Sequence, residues 1–224
     1  MKHESLPPDD LSSSDGPSSP SDPSSSDGFS STQAFVHPRN FVVHLQQQSR
    51  TRPEDIALIA VAEHEGQLVE KVWNYRQFSA CTRALAAALQ RRFAPGDRAL
   101  ILLDNDEHYA ISLFACFHAG VIAVPVFPPE SARSRHLARL QGIAADSSAR
   151  GLLTSTVFRP LIEQMAMSVA GASILCVDEI DPVLVEEWRP HQPSADDVAF
   201  LQYTSGSTSA PKGVMVTHGN LMAN

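Results

Sequence analysis

The densest run of reactive residue types is Thr204-Ser205-Gly206-Ser207-Thr208-Ser209-Ala210-Pro211-Lys212-Gly213. Gly206 permits a backbone path that aims several N–H groups into one concavity, where they can hold anionic oxygens. Thr204, Ser205, Ser207 and Thr208 add hydroxyl donors, and a hydroxyl oxygen can also reach a magnesium ion. Lys212 brings a cation on a long stem, just after Pro211 stiffens the exit. These are the parts that grip phosphate. The GxxxxGK[ST] spacing is absent, so the loop is not a Walker A motif. A plain polar hairpin turn is the alternative reading of the same residues.

Such a loop works only if the elements beside it hold still. An apolar strand runs up to Tyr203, a second strand covers Val214-Met215-Val216, and Thr217 or His218 opens a helix. Upstream, Phe41 to Leu45 starts a short amphipathic helix that ends near Arg52-Pro53. Ile56–Val61 and Leu68–Trp73 read as a hairpin turned at Gly66. Asn74 precedes a helix carrying Phe78, Cys81, Leu85, Ala88 and Leu89 on one stripe. Strands at Arg98–Leu103, Val121–Phe127, Gly151–Thr154 and Ser173–Val177 then alternate with helices at Asp104–Ala119, Ser131–Ala145 and Val157–Val169. That rhythm predicts an α/β fold with a largely parallel sheet flanked by helices.

The first 33 residues are of another kind. They are rich in Ser and Pro and carry six acids (Glu4, Asp9, Asp10, Asp15, Asp22 and Asp27) against Lys2. So few apolar side chains cannot offset the entropy of ordering them, which predicts a disordered tail over 1–33 and a folded domain over 34–224. The tail supplies five of the eight net negative charges. The remainder is nearly balanced, with no cluster of Lys and Arg suited to nucleic acid. Cys81, Cys116 and Cys176 lie far apart without ligand spacing, as expected of reduced thiols in a cytoplasmic protein. Tyr109–Phe127 is long and apolar enough to be tested as a membrane span. Gly120 and the β-branched run after it favour helix, turn and buried strand instead. His108, His118 and His136 share no metal spacing and suit surface or second-layer roles. Asp104, Asp106 and Glu107 suit a helix N-terminus, and Arg133, Arg135 and Arg139 a solvated helix face.

Tyr203 to Gly213 resembles the signature phosphate loop of the adenylate-forming superfamily: acyl-CoA synthetases, peptide-synthetase adenylation domains, luciferases and fatty acyl-AMP ligases. Trp73-Asn74-Tyr75, Pro95-Gly96-Asp97-Arg98 and His118 to Pro125 fall where that superfamily places similar segments. Ser209 stands where most members have Gly, a replacement often made in fatty acyl-AMP ligases. Phe200-Leu201-Gln202-Tyr203, Val124 to Pro129 and Leu137 to Gln141 also look like that subfamily. The resemblance, over roughly 35–224, implies the N-terminal part of an enzyme joining a fatty acid to ATP, giving acyl-adenylate and pyrophosphate. The acyl group would then pass to the phosphopantetheine thiol of an acyl carrier protein, in lipid, polyketide or lipopeptide biosynthesis. Thr204, Ser205, Gly206, Ser207, Thr208, Lys212 and Gly213 would bind the nucleotide, with Ser207 or Thr208 nearest Mg2+. The superfamily's magnesium-binding Glu, ribose-binding Asp, hinge and catalytic Lys would lie beyond Asn224. The expectation is therefore a fragment with no catalytic residue of its own and negligible activity alone. An acyl-CoA synthetase or amino-acid adenylation fragment is the neighbouring alternative, and a non-catalytic binding module the alternative of another class.

Overall fold

The computed structural model describes residues 40–128, 134–166, 172–204 and 211–223. The expected tail lies outside them. Asn40 caps helix α1 (Phe41–Thr51), its side chain accepting from Val43 N at 2.9 Å. Its amide also donates to Pro193 O at 2.8 Å, which ties the start of α1 to the segment leading into the last strands. Strands β1 (Ile56–His64) and β2 (Gln67–Asn74) pair antiparallel across Glu65-Gly66, both at positive φ (52° and 78°) as a tight hairpin turn demands. Both strands run further than their sequence pattern indicates. Most of their side chains are exposed, so there is little alternation to read. Asn74 and Gln77 form a capping box at the head of α2 (Tyr75–Gln90), satisfying two backbone N–H groups reciprocally.

The main sheet holds β3 (Arg98–Leu102), β4 (Ile122–Val126), β5 (Gly151–Thr154), β6 (Ser173–Cys176), β7 (Val198–Thr204) and β8 (Lys212–Thr217). Their order is β6-β5-β3-β4-β7-β8, parallel throughout except for β8, which returns antiparallel to β7. The sheet is thus largely parallel and flanked by helices, as the sequence predicts. Side chains of β3 alternate between two cores. Ala99 and Ile101 face a cluster with α2 and α3 (Glu107–Ala119), while Leu100 and Leu102 face Leu140, Ile143 and Ile162 of α4 (Ser134–Ser147) and α5 (Arg159–Ala166). All four are fully buried, so the strand is covered on both faces. Burial of each larger side chain is worth about 1.5–3 kcal/mol.

Several boundaries differ from the sequence reading. Helix α3 starts at Glu107, not Asp104, because Asp106 turns its carboxylate onto the N–H groups of His108 and Tyr109 at 2.9 and 3.2 Å. It ends at Gly120, whose φ of 75° breaks the helix and turns the chain into β4. The apolar run is therefore helix, turn and strand. Among the described residues no helix is long and apolar enough to cross a membrane. Helix α5 begins at Arg159 rather than Val157. Val177 leaves its strand for a short 3-10 turn, and a second one spans Pro182–Glu187. The start expected for α4 at Ser131 lies outside the described residues. His118 corrects a surface or second-layer assignment: it is fully buried, its ring edge-on to Trp188 at 5.3 Å, and among the described residues neither ring nitrogen has a partner.

Gly120→Ala would set a methyl 2.8 Å from the His191 ring in a left-handed backbone. It is expected to cost about 2 kcal/mol, measured as a lower denaturation midpoint. Burial, with a smaller contribution from Arg83, pushes the His118 pKa down from 6.5 to about 4. Between those values the unfolded chain binds a proton that the folded chain refuses, so stability is full above pH 6.5 and declines on acidification. The loss approaches about 3 kcal/mol by pH 4. His118→Gln should flatten that part of the stability–pH curve, as read by urea unfolding at a series of pH values.

Candidate phosphate-binding site

Strands β3, β4, β5, β6 and β7 all end on one edge of the sheet, and the run of hydroxyl residues follows directly from the end of β7. The carboxyl edge of a parallel sheet is where open α/β folds hold ligands, because strand ends there give way to loops and helix starts. The β7–β8 register sets Thr204 opposite Lys212 and Tyr203 opposite Gly213, so the loop leaves and re-enters the sheet across one backbone pair. Lys212 is exposed, and among the described residues no carboxylate forms an ion pair with it. Its cation is therefore available beside the loop mouth. Thr204, Lys212 and Gly213 are brought together. Ser205, Gly206, Ser207 and Thr208 lie outside the described residues.

Two contacts hold this stem, and sequence reasoning missed both. The Tyr203 hydroxyl donates to Asp146 Oδ2 of α4 at 2.5 Å. Burial, reinforced by the Asp146 carboxylate, pushes the phenol up to about 12, so it remains a donor at neutral pH. Gly142, one helical turn earlier, faces Pro211, and a methyl there would stand 3.3 Å from the proline ring. Gly213 is also required by a neighbour, since a methyl on it would meet the Tyr203 ring at 2.9 Å. Only the polar face of α4, with Asp146 four residues after Gly142, hinted at any of this. No sequence pattern pairs Asp146 with Tyr203.

The far end of the hairpin is tied as firmly. Asp197 accepts from Ser194 N at 2.7 Å, and that bond, the largest influence, holds its carboxyl below the ordinary range. His218 N and Gly219 N donate to Asp197 O and Ala195 O at 3.0 and 2.7 Å. Thr217 and Asn220 cap α6 (His218–Ala223) reciprocally, each side-chain oxygen accepting the other's backbone N–H at 3.1 Å. Both ends of β8 are therefore anchored.

Other candidate chemistry does not converge. Among the described residues no group of three or more His, Cys, Asp and Glu could hold a metal ion. Cys81, Cys116 and Cys176 are free, and burial pushes all three thiols up, Cys116 to about 12. None has the character of a nucleophile.

Residues 45–224 match the AMP-binding enzyme family. A long-chain-fatty-acid–AMP ligase of Mycobacterium marinum is 34% identical over 198 residues, 85% of this chain and 30% of that relative. A medium-chain-fatty-acid–[acyl-carrier-protein] ligase of Moorena producens is 35% identical over 66% of this chain and 26% of its own length. The chain thus spans less than a third of either curated relative. Among solved structures, a fatty acyl-adenylate ligase from L. pneumophila, in complex with acyl adenylate and pyrophosphate, superposes with a TM-score of 0.74 at 30% identity. The match covers 84% of this chain and 32% of that one.

Tyr203→Phe removes the bond to Asp146 without changing the ring. It is expected to cost about 1 kcal/mol in chemical denaturation, since Asp146 is exposed and water replaces part of the bond. Asp146→Asn should cost no more. Gly213→Ala must displace the Tyr203 ring and should exceed both.

Proposed function

The chain belongs to the AMP-binding enzyme family, and from that premise we propose that residues 34–224 form the N-terminal portion of a fatty acid adenylation domain, preceded by a 33-residue Ser/Pro/Asp-rich tail. One observation carries the reading. The β7–β8 register pins Thr204 against Lys212 at the carboxyl edge of a parallel sheet, with a glycine- and hydroxyl-rich loop between them. Names of similar proteins add the substrate class: a fatty acid, carried as an adenylate, with an acyl carrier protein as acceptor.

In the proposed reaction a carboxylate oxygen of the fatty acid bonds to the α-phosphorus of ATP. The bond to the β-phosphate bridge breaks, and pyrophosphate departs with that electron pair. Lys212 is proposed to neutralise charge that builds on the departing oxygens, where fixed positive groups act most strongly. Hydroxyls of Thr204, Ser205, Ser207 and Thr208, with the N–H groups around Gly206 and Gly213, hold the same oxygens in line. A hydroxyl of Thr208 would help hold a magnesium ion, which would supply further charge neutralisation. The phosphopantetheine sulfur of a carrier protein in the cytoplasm then bonds to the acyl carbon as it loses its proton, the acyl–phosphate bond breaks, and AMP departs with that electron pair.

The test places residues 34–224 in the corresponding N-terminal position of the Mycobacterium marinum ligase and follows fatty acid-dependent ATP–pyrophosphate exchange. The chimera is expected to exchange with long-chain substrates, and Lys212→Ala to lower the rate by about 100-fold. The 224-residue chain alone should show negligible exchange. A folded chimera indifferent to fatty acid, or to loss of Lys212, would overturn the assignment. Supplying carrier protein or free coenzyme A in turn identifies the acceptor.

A further inference from the structure

On the face of the molecule built by α1 and α2 lies a half-open cavity of about 200 Å³, none of whose lining residues belongs to β7 or β8. Its walls are Ser49 and Arg50 of α1, Arg76, Ser79 and Arg83 of α2, and the indole of Trp188. Three guanidinium groups around one small hollow are unusual in a chain whose net charge is -8. Like charges so placed repel one another unless something anionic lies between them. Arg76 is paired with Glu54; among the described residues neither Arg50 nor Arg83 has a carboxylate partner.

The cavity is also held in shape. Trp188 donates from Nε1 to His118 O at 3.2 Å, and its ring packs on the buried His118. The Arg83 guanidinium sits over the indole face at 5.8 Å and donates from Nε to Ser79 O at 3.2 Å. Among the described residues its two terminal nitrogens have no hydrogen-bond partner, and they can fork onto an oxyanion, a geometry that guanidinium groups provide and ammonium groups do not. Arg50 reaches the cavity from the last turn of α1. The volume suits a group the size of one or two phosphates and is too small for a drug-sized molecule.

We propose that this cavity is a second anion site, separate from the β7–β8 loop, that takes a multiply charged phosphate group through Arg50 and Arg83 with Trp188 as its fixed wall. The ligand is either inorganic pyrophosphate or the phosphate of a small organic ester.

The test uses the full 224-residue chain carrying Trp73→Phe and Lys212→Ala. Of the two tryptophans, Trp188 then remains as the only indole, and the loop lysine is absent. Among the described residues the buried Trp73 Nε1 has no hydrogen-bond partner, so the exchange to Phe breaks none of their hydrogen bonds. Inorganic pyrophosphate and glycerol phosphate are titrated separately at constant ionic strength while Trp188 emission is followed. A saturable response to either is expected, and which one responds names the source. Arg50→Gln, which leaves Trp188 untouched, should weaken binding at least about tenfold, and adding Arg83→Gln should abolish it, with Arg83→Lys restoring part. No saturable response to either anion overturns the proposal, as does a response that Arg50→Gln leaves within about twofold. Because Lys212 is already absent, failure here leaves the reading of the β7–β8 loop standing.

Discussion

The pairing of Tyr203 with Gly213 across β7 and β8, with the tyrosine hydroxyl fastened to Asp146, is the constraint on which the candidate site depends. Register between two strands is a discrete choice, and a slip by one residue turns every side chain to the opposite face. The wrong register would move Lys212 away from Thr204 and spread the loop's two ends apart. Three features select the right one: a glycine under an aromatic ring, a phenol that reaches a single carboxylate, and backbone bonds from His218 and Gly219 at the other end. The loop's chemistry is local, but its placement is tertiary.

That division explains what could be read from the chain. The parallel strands were legible because covering both faces demands continuous apolar runs, and Leu100, Ile101 and Leu102 supply one. Helix α2 was legible for another reason, apolar residues recurring at helical spacing behind a side-chain cap at Asn74. The hydroxyl loop announced itself by composition. Less visible were elements whose cause lies elsewhere in space. Strands β1 and β2 expose most of both faces, so their full length carries little periodic signal. The 3-10 turn at Pro182–Glu187 exists because Leu184 and Trp188 pack on the core beside α2, a contact no local pattern encodes. Asp106, and not Asp104, begins α3 because one carboxylate reaches two N–H groups there, a choice among neighbouring acids that spacing alone cannot make.

Histidine 118 shows the same point from the side of burial. Its neighbours in sequence, Ala115, Cys116, Phe117 and Ala119, are all apolar and buried, and the ring goes inward with them. A polar residue in an apolar helix can be drawn inside by its context, and here it becomes the floor on which Trp188 rests. Stability toward acid and the shape of the arginine-lined cavity are thereby linked through one ring. Protonating His118 would disturb the indole wall as well as the core.

Strand β8 has a consequence of another sort. It lies at the margin of the sheet, and among the described residues nothing pairs with its outer side, while Val214 and Met215 are 53% and 68% exposed. A margin strand with bare amide and carbonyl groups and greasy side chains is a template on which further strands can polymerise. The hairpin that presents the lysine thus doubles as the seam along which the sheet can grow, by a neighbouring molecule in concentrated solution.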